Sequence, residues 1–207
     1  VWVLADDVQY SHPGFTNRNR IRTADGWSWL TIPVRTRGQA QQRIGQVEVV
    51  DHAWQRKHWT AIRHAYHQAS HFETGSDFLE SFYADVSRER LLDVNVDLIG
   101  WMLEQFGIDV EIRFSSQLEL RPERTERLVD MVRACDCDAY LAGDGGSRDY
   151  LRPECFEDAG VQLLFGEFEH PVYAQCHDGF EAKMSAVDLL LNHGPAEARR
   201  MMGLDQA

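Results

Sequence analysis

Between Val110 and Phe165, apolar and amphipathic segments alternate at a spacing that leaves few folds open. Val110 to Phe114 reads as a strand, Pro122 to Ala134 as a helix, Ala139 to Ala142 as a strand, Pro153 to Ala159 as a short helix and Val161 to Phe165 as a strand. A strand returns parallel to its neighbour only through a crossover of about a dozen residues or more, usually a helix. The order therefore predicts an α/β fold built on a Rossmann-like, mostly parallel sheet with crossover helices. With 207 residues, 43% of them hydrophobic, and no repeat or linker, the chain reads as a single domain over residues 1–207.

The first half adds other elements. Val1 to Leu4 is an apolar run ending in Asp6-Asp7, followed by a loop of turn formers (Ser11, His12, Pro13, Gly14). Arg20 to Thr23, a turn at Asp25-Gly26, and Trp27 to Val34 read as an N-terminal β-hairpin, and Ile44 to Val50 as a further strand. Helical periodicity then sets in as a central helical insertion. His52 to Gln68 places Trp54, His58, Ile62 and Ala65 on one face, and Asp77 to Ala84 is shorter. Arg88 to Phe106 carries the stripe Leu91, Leu98, Ile99, Met102 and Phe106 before Gly107 stops it. The tail holds helices at Lys183 to Leu191 and Pro195 to Met202.

A net charge of −12 argues against a nucleic-acid partner, which needs a basic face. Against that background the run Asn17-Arg18-Asn19-Arg20-Ile21-Arg22 stands out as a grip for a small anion. No apolar run approaches the roughly 20 residues that span a bilayer, so no membrane insertion is expected. Cys135, Cys137, Cys155 and Cys176 lack disulfide-framework spacing, which points to the cytoplasm, and Cys135-x-Cys137 is not a CxxC pair. Cys155, His170, Cys176 and His177 are not spaced like a zinc site, and no metal is assigned. Because Val1 lies inside an apparent strand, a preceding segment is expected.

Ligands of open parallel sheets bind beyond the carboxyl ends of the strands. Three strands end in polar residues: Val1–Leu4 in Asp6-Asp7, Val110–Phe114 in Ser115-Ser116, and Tyr140–Ala142 in Gly143-Asp144-Gly145-Gly146-Ser147-Arg148. The glycines let backbone approach a ligand closely, and Arg148 brings a planar cationic fork. His170, held by Pro171, is the candidate for proton chemistry, with Tyr173 and Gln175 extending the polar set. Asp7, Arg148 and His170 are expected to share one hollow. Lys57 is a further candidate for ligand contact, whereas His58 falls on a packed helix face. Asn95, on the stripe of the long helix, is expected to pin neighbouring backbone, and Asp188, on an apolar helix, to cap or orient a loop.

In order along the chain occur Ala5-Asp6-Asp7-Val8-Gln9-Tyr10, Asn17-Arg18-Asn19-Arg20-Ile21, Trp29-Leu30-Thr31-Ile32-Pro33-Val34, Arg56-Lys57-His58, Arg124-Thr125-Glu126-Arg127-Leu128, Gly145-Gly146-Ser147-Arg148-Asp149-Tyr150-Leu151 and His170-Pro171-Val172-Tyr173. Together they resemble the WbqC-like proteins of bacteria. The chain departs from them in lacking a His-Gln-Pro-x-Tyr-Leu-Pro-type segment ahead of Asp6, and Ser147 lengthens the usual Gly-Gly-Arg turn. The resemblance implies a role in lipopolysaccharide or other surface-polysaccharide biosynthesis: transfer of a small acyl or aminoacyl group, such as glycyl, to an amine of a sugar or nucleotide-sugar. In that reading His170 is the base, Asp6 or Asp7 orients the amine, and Gly145, Gly146 and Arg148 stabilise the anion. Asn17, Arg18 and Arg20, with Lys57, Ser115, Ser116 and Tyr173, hold the substrate. The donor would be an acyl thioester of coenzyme A or a carrier protein, or ATP with Mg²⁺ would take part. Two alternatives stay open: nucleotidyl transfer or adenylate formation on the Rossmann-like core, though no G-x-x-x-x-G-K-[ST] loop is present, and a non-catalytic nucleotide-sugar-binding accessory protein.

Overall fold

The structure, a computed structural model, describes residues 1–12, 14–143 and 147–206. In chain order its elements are β1 (Trp2–Leu4), β2 (Arg18–Thr23), β3 (Gly26–Thr31), α1 (Ala53–Tyr66), α2 (Phe72–Ala84), α3 (Leu91–Gln105), β4 (Ile112–Phe114), α4 (Arg124–Ala134), β5 (Ala139–Ala142), α5 (Ser147–Tyr150), α6 (Pro153–Ala159), β6 (Gln162–Phe165) and α7 (Ala186–Met201). The fold is mixed α/β. It divides into two compact units, one of Val1–Asp7 and Val110–Glu169, the other of Val8–Asp109 and His170–Ala207.

The first unit holds the parallel pairings. β1 lies parallel to β4, with Leu4 opposite Phe114, and β5 lies parallel to β6, with Ala142 opposite Phe165. The strands and helices fall where the alternation predicts, β5 and α6 to the residue. Among the described residues, however, they form two separate two-stranded ladders rather than one continuous sheet. Strands of three and four residues are too short to carry a long ladder, and α4 closes the core instead. Val129 and Val132 of α4 pack with Ala142, Leu151, Phe156 and Val161.

The second unit is helical around one antiparallel hairpin. β2 and β3 pair from Arg18–Thr31 to Thr23–Gly26. The turn is therefore Ala24-Asp25, one residue earlier than the sequence suggests, and Gly26 enters the ladder with φ +121°, a conformation L side chains rarely adopt. Ile44 to Val50 is not a strand. Ile44–Gln46 forms one 3₁₀ turn, and beyond it Glu48 and Val49 make only single bridges, to Arg90 and Val34. Its alternation is real, with Val47 and Val49 buried and Glu48 exposed, but it reports extended backbone over a core and not a ladder partner.

α2 starts at Phe72, five residues ahead of the expected Asp77, because Gly75 suits a close helix contact: a Cβ there would lie 2.8 Å from Leu191 Cδ2. α7 contains both expected tail helices as one element bent at Gly194 (φ +73°) just before Pro195. A Cβ at Gly194 would meet the His71 ring at 2.7 Å, so space as well as conformation selects glycine there. Leu79, Leu91, Val94, Tyr66 and Leu191 form the centre of this unit's core.

Candidate functional site

Two polar assemblies stand out, one in each unit. In the first, the carboxyl ends of β1 and β4 bring the acidic pair against the serine pair, as the parallel register requires. Asp6, buried, accepts hydrogen bonds from the Ser116 backbone N–H at 2.9 Å, Ser116 Oγ at 2.7 Å and Ser115 Oγ at 3.3 Å. Asp7 accepts a short bond from Ser115 Oγ, and Arg127 Nη2 reaches both its oxygens at 2.6 and 2.7 Å. Partial burial pushes the Asp7 carboxyl up, but the Ser115 hydroxyl and the Arg127 guanidinium outweigh it and hold the group below the usual carboxylate range. The assembly satisfies itself, because each carboxylate already has its donors.

The second assembly is a cavity of about 280 Å³ within the second unit. Leu30, Ile32, Ile62, Leu79, Leu98 and Met102 supply much of its apolar wall. This explains why Leu98, Ile99 and Met102, expected in the core stripe of α3, are only partly buried. At one side Trp54, His58 and Tyr83 form an aromatic triad with ring centroids 4.9, 5.9 and 6.0 Å apart. His58 Nε2 donates to Thr31 O at 3.1 Å, leaving Nδ1 as a lone-pair acceptor with no hydrogen bond among the described residues. Burial lowers its pKa to about 4, against a smaller upward pull from the Thr31 carbonyl, so the imidazole is neutral at pH 7. Burial alone raises the pKa of the Tyr83 hydroxyl. Asn17 donates to Ile32 O at 2.9 Å, while its Oδ1 and the Trp54 indole N–H have no partner.

On the hairpin beside the cavity, of which Arg18 is a lining residue, arginines stack on tryptophans. The Arg18 guanidinium lies 4.2 Å above the Trp29 ring, and Arg20 sits 5.1 Å from Trp27 and 5.8 Å from Trp29. Phe15, which lines the cavity and is exposed, meets Trp29 edge-on at 5.4 Å. Arg18 is the one charged side chain in the cavity lining among the described residues.

The remaining candidates are placed as follows. His170 belongs to the second unit, whereas Asp7 and Arg148 belong to the first. Its Nδ1 donates to Pro171 O at 2.8 Å and its Nε2 accepts from the Lys183 backbone N–H at 3.1 Å, so both ring nitrogens are engaged. Tyr173 is buried and donates its hydroxyl to Asp188 at 2.8 Å; burial and that carboxylate push its pKa up. Asp188, fully buried, also accepts from Tyr66 at 2.8 Å and Gln175 at 2.9 Å, and so orients the loop ahead of α7. Asn95 donates to Thr16 O at 2.9 Å, pinning backbone 79 positions away. Arg148, exposed on α5, stacks 4.1 Å over Phe165, and Lys57 is exposed on α1. Gly145 and Gly146 lie outside the described residues. Among the described residues no group of three or more His, Cys, Asp or Glu side chains could hold a metal ion, and no helix is long and apolar enough to cross a membrane.

The family model for the WbqC-like protein family matches residues 1–200. The chain belongs to the WbqC-like protein family. Uncharacterized protein Rv1507c of Mycobacterium tuberculosis (strain H37Rv) is 30% identical over 198 residues, covering 95% of this chain and 85% of that protein. No solved structure matches the chain. Reading the sequence of this WbqC-like chain misses Arg127, the partner of Asp7, although it lies in the Arg124–Leu128 motif that carries the resemblance. It also misses Trp54 and Tyr83, whose aromatic character on helix faces signals only core.

Proposed function

We propose that this WbqC-like chain transfers a small acyl or aminoacyl group to the amine of a sugar or related metabolite, with the second unit's cavity and its arginine rim as the substrate site. One observation carries the reading. In a chain of net charge −12, Arg18 is presented on Trp29 in the lining of a mainly apolar cavity, with Arg20 stacked on Trp27 in the same hairpin. Arg18 Nε donates to Gly14 O at 3.1 Å, and stacking on an aromatic face leaves the terminal N–H donors of the guanidinium for the carboxylate or diphosphate of an anionic acceptor such as a nucleotide-sugar. The cavity then takes the uncharged, mainly apolar portion of the ligand. The parallel pairs β1–β4 and β5–β6 with α4 and α6 support a Rossmann-like reading of the first unit.

The cavity provides positioning more than acid–base power. His58 is neutral and presents Nδ1 to an N–H donor, which orients an attacking amine with its lone pair turned away. The Tyr83 hydroxyl suits an oxygen that gains negative charge. The test is mass spectrometry of the purified protein mixed with amino-sugar nucleotides and candidate thioesters. Acylated sugar is expected, and the double variant Arg18→Ala with Arg20→Ala should raise KM for the nucleotide-sugar at least tenfold with Tm almost unchanged. Nucleotide-sugar binding without turnover by any donor would overturn the transfer reading.

A further inference from the structure

The cavity of the second unit runs from an exposed end to a buried one. Phe15, 65% exposed, and Arg18, half-buried, line it at the surface, whereas Ile21, Ile62 and Leu79 line it from within the core. Three of its polar lining residues are tied to backbone: Asn17 donates to Ile32 O, Asn95 to Thr16 O and His58 to Thr31 O. Branched aliphatic side chains make up most of the rest, together with Met102, whose unbranched thioether adapts to the shape of what it packs against. Arg18 is the one charged side chain in the lining among the described residues. Trp29 fixes its guanidinium from below at 4.2 Å, and Gly14 O holds its Nε at 3.1 Å. Such a wall gains little from water and much from hydrocarbon. An apolar cavity of about 150 Å³ takes benzene, so one of about 280 Å³ has room for a chain of roughly eight carbons.

We infer that the cavity binds an unbranched aliphatic chain with a single anionic head, the chain inside and the head on Arg18. A cationic head finds no carboxylate in the lining among the described residues and would face Arg18 instead. A bare sugar would bury several hydroxyls against a wall that is mostly hydrocarbon. A single aromatic ring fills about half the space and forfeits the remaining contacts. Carboxylate and phosphate ester share the chemistry that a guanidinium fork reads, and titration separates them. The chain would be the apolar portion of the ligand in the transfer reading, on which the assignment rests for the reaction alone; the site itself rests on the cavity.

The experiment labels the methyls of the five methionines with carbon-13 and titrates the full chain with butanoate, hexanoate, octanoate, octyl phosphate, octanol, octylamine and benzoate, each below its aggregation limit. The readout is the Met102 methyl signal, assigned by Met102→Leu. Each added methylene from butanoate to octanoate should tighten binding about threefold to fourfold. Octanoate should bind about tenfold or more tightly than octylamine or benzoate. Arg18→Ala should weaken octanoate about tenfold and leave octanol within about twofold, which separates a lost head contact from a lost fold. Leu98→Phe, which narrows the cavity, should weaken octanoate more than butanoate. An unmoved Met102 signal up to the solubility limit of octanoate, an affinity that does not rise with chain length, or equal binding of octylamine overturns the inference. Binding of octanoate or of octyl phosphate supports it, and the tighter of the two assigns the head. Chain binding without turnover by any donor keeps the site and removes the reaction. Turnover without chain binding does the reverse.

Discussion

The strand ends of the first unit and the cavity of the second are both polar groups set against apolar walls, and they differ in one respect. At the strand ends, Asp6 and Asp7 meet Ser115, Ser116 and Arg127, and both carboxylates are served from within the chain. Around the cavity, the Trp54 indole N–H and Asn17 Oδ1 are buried with no hydrogen-bond partner among the described residues. A closed network supports a fold, while an open one costs it stability.

The contrast can be broken most forcefully at Asp6. Asp6→Ala strands the Ser116 backbone N–H and hydroxyl, while Ser115 keeps Asp7, and should cost about 2–4 kcal/mol in urea denaturation. A loss below about 1 kcal/mol would mean that the strand-end network is not what holds β1 to β4.

The next effect is a pH dependence. Folded His58 has its pKa lowered to about 4 from an ordinary 6.5, so between those values the unfolded chain takes up a proton that the folded chain refuses. Stability is therefore expected to fall as pH drops from about 6.5 to about 4, by up to about 3 kcal/mol, with no His58 contribution above that window. His58→Phe should flatten the curve there. Asp7 acts lower: its folded pKa is depressed below 3.8, so its contribution is complete above that value and is lost as pH falls through the folded value. Denaturation curves at several pH values separate the two.

The smallest effect is the most telling. Tyr83→Phe removes a hydroxyl that has no partner, and stability should change by no more than about 1 kcal/mol, in either direction. A loss several times larger would show that the hydroxyl is already satisfied and that the contrast between the two regions is false.

Much of the framework is legible in the sequence, and the reasons are local. Ala139–Ala142 and Pro153–Ala159 match β5 and α6 because their limits are set by Pro153, Gly143 and Gly160, residues whose backbone preferences act within a turn. Asp6 meets Ser116 because parallel pairing brings strand ends together whatever lies between. Arg127 is hidden because an exposed-looking arginine on an amphipathic helix gives no sign of the strand it serves. Asp188 is recognisable as anomalous, but Tyr66, 122 positions away, is not recognisable as its partner. The cavity is least legible of all: Trp54, Leu98 and Met102 fit the periodicity of core, and an absence of packing has no period.

The chain passes between its two units at Asp7–Val8, at Asp109–Val110 and at Glu169–His170. Neither unit is therefore one continuous stretch, and no single cut can release either of them whole. Closing β1 onto β4 brings together positions such as Leu4 and Phe114, with roughly a hundred residues looped out between, an entropic demand that grows slowly with length but delays non-local pairing. Work on this protein by dissection is better begun from circular permutation than from truncation.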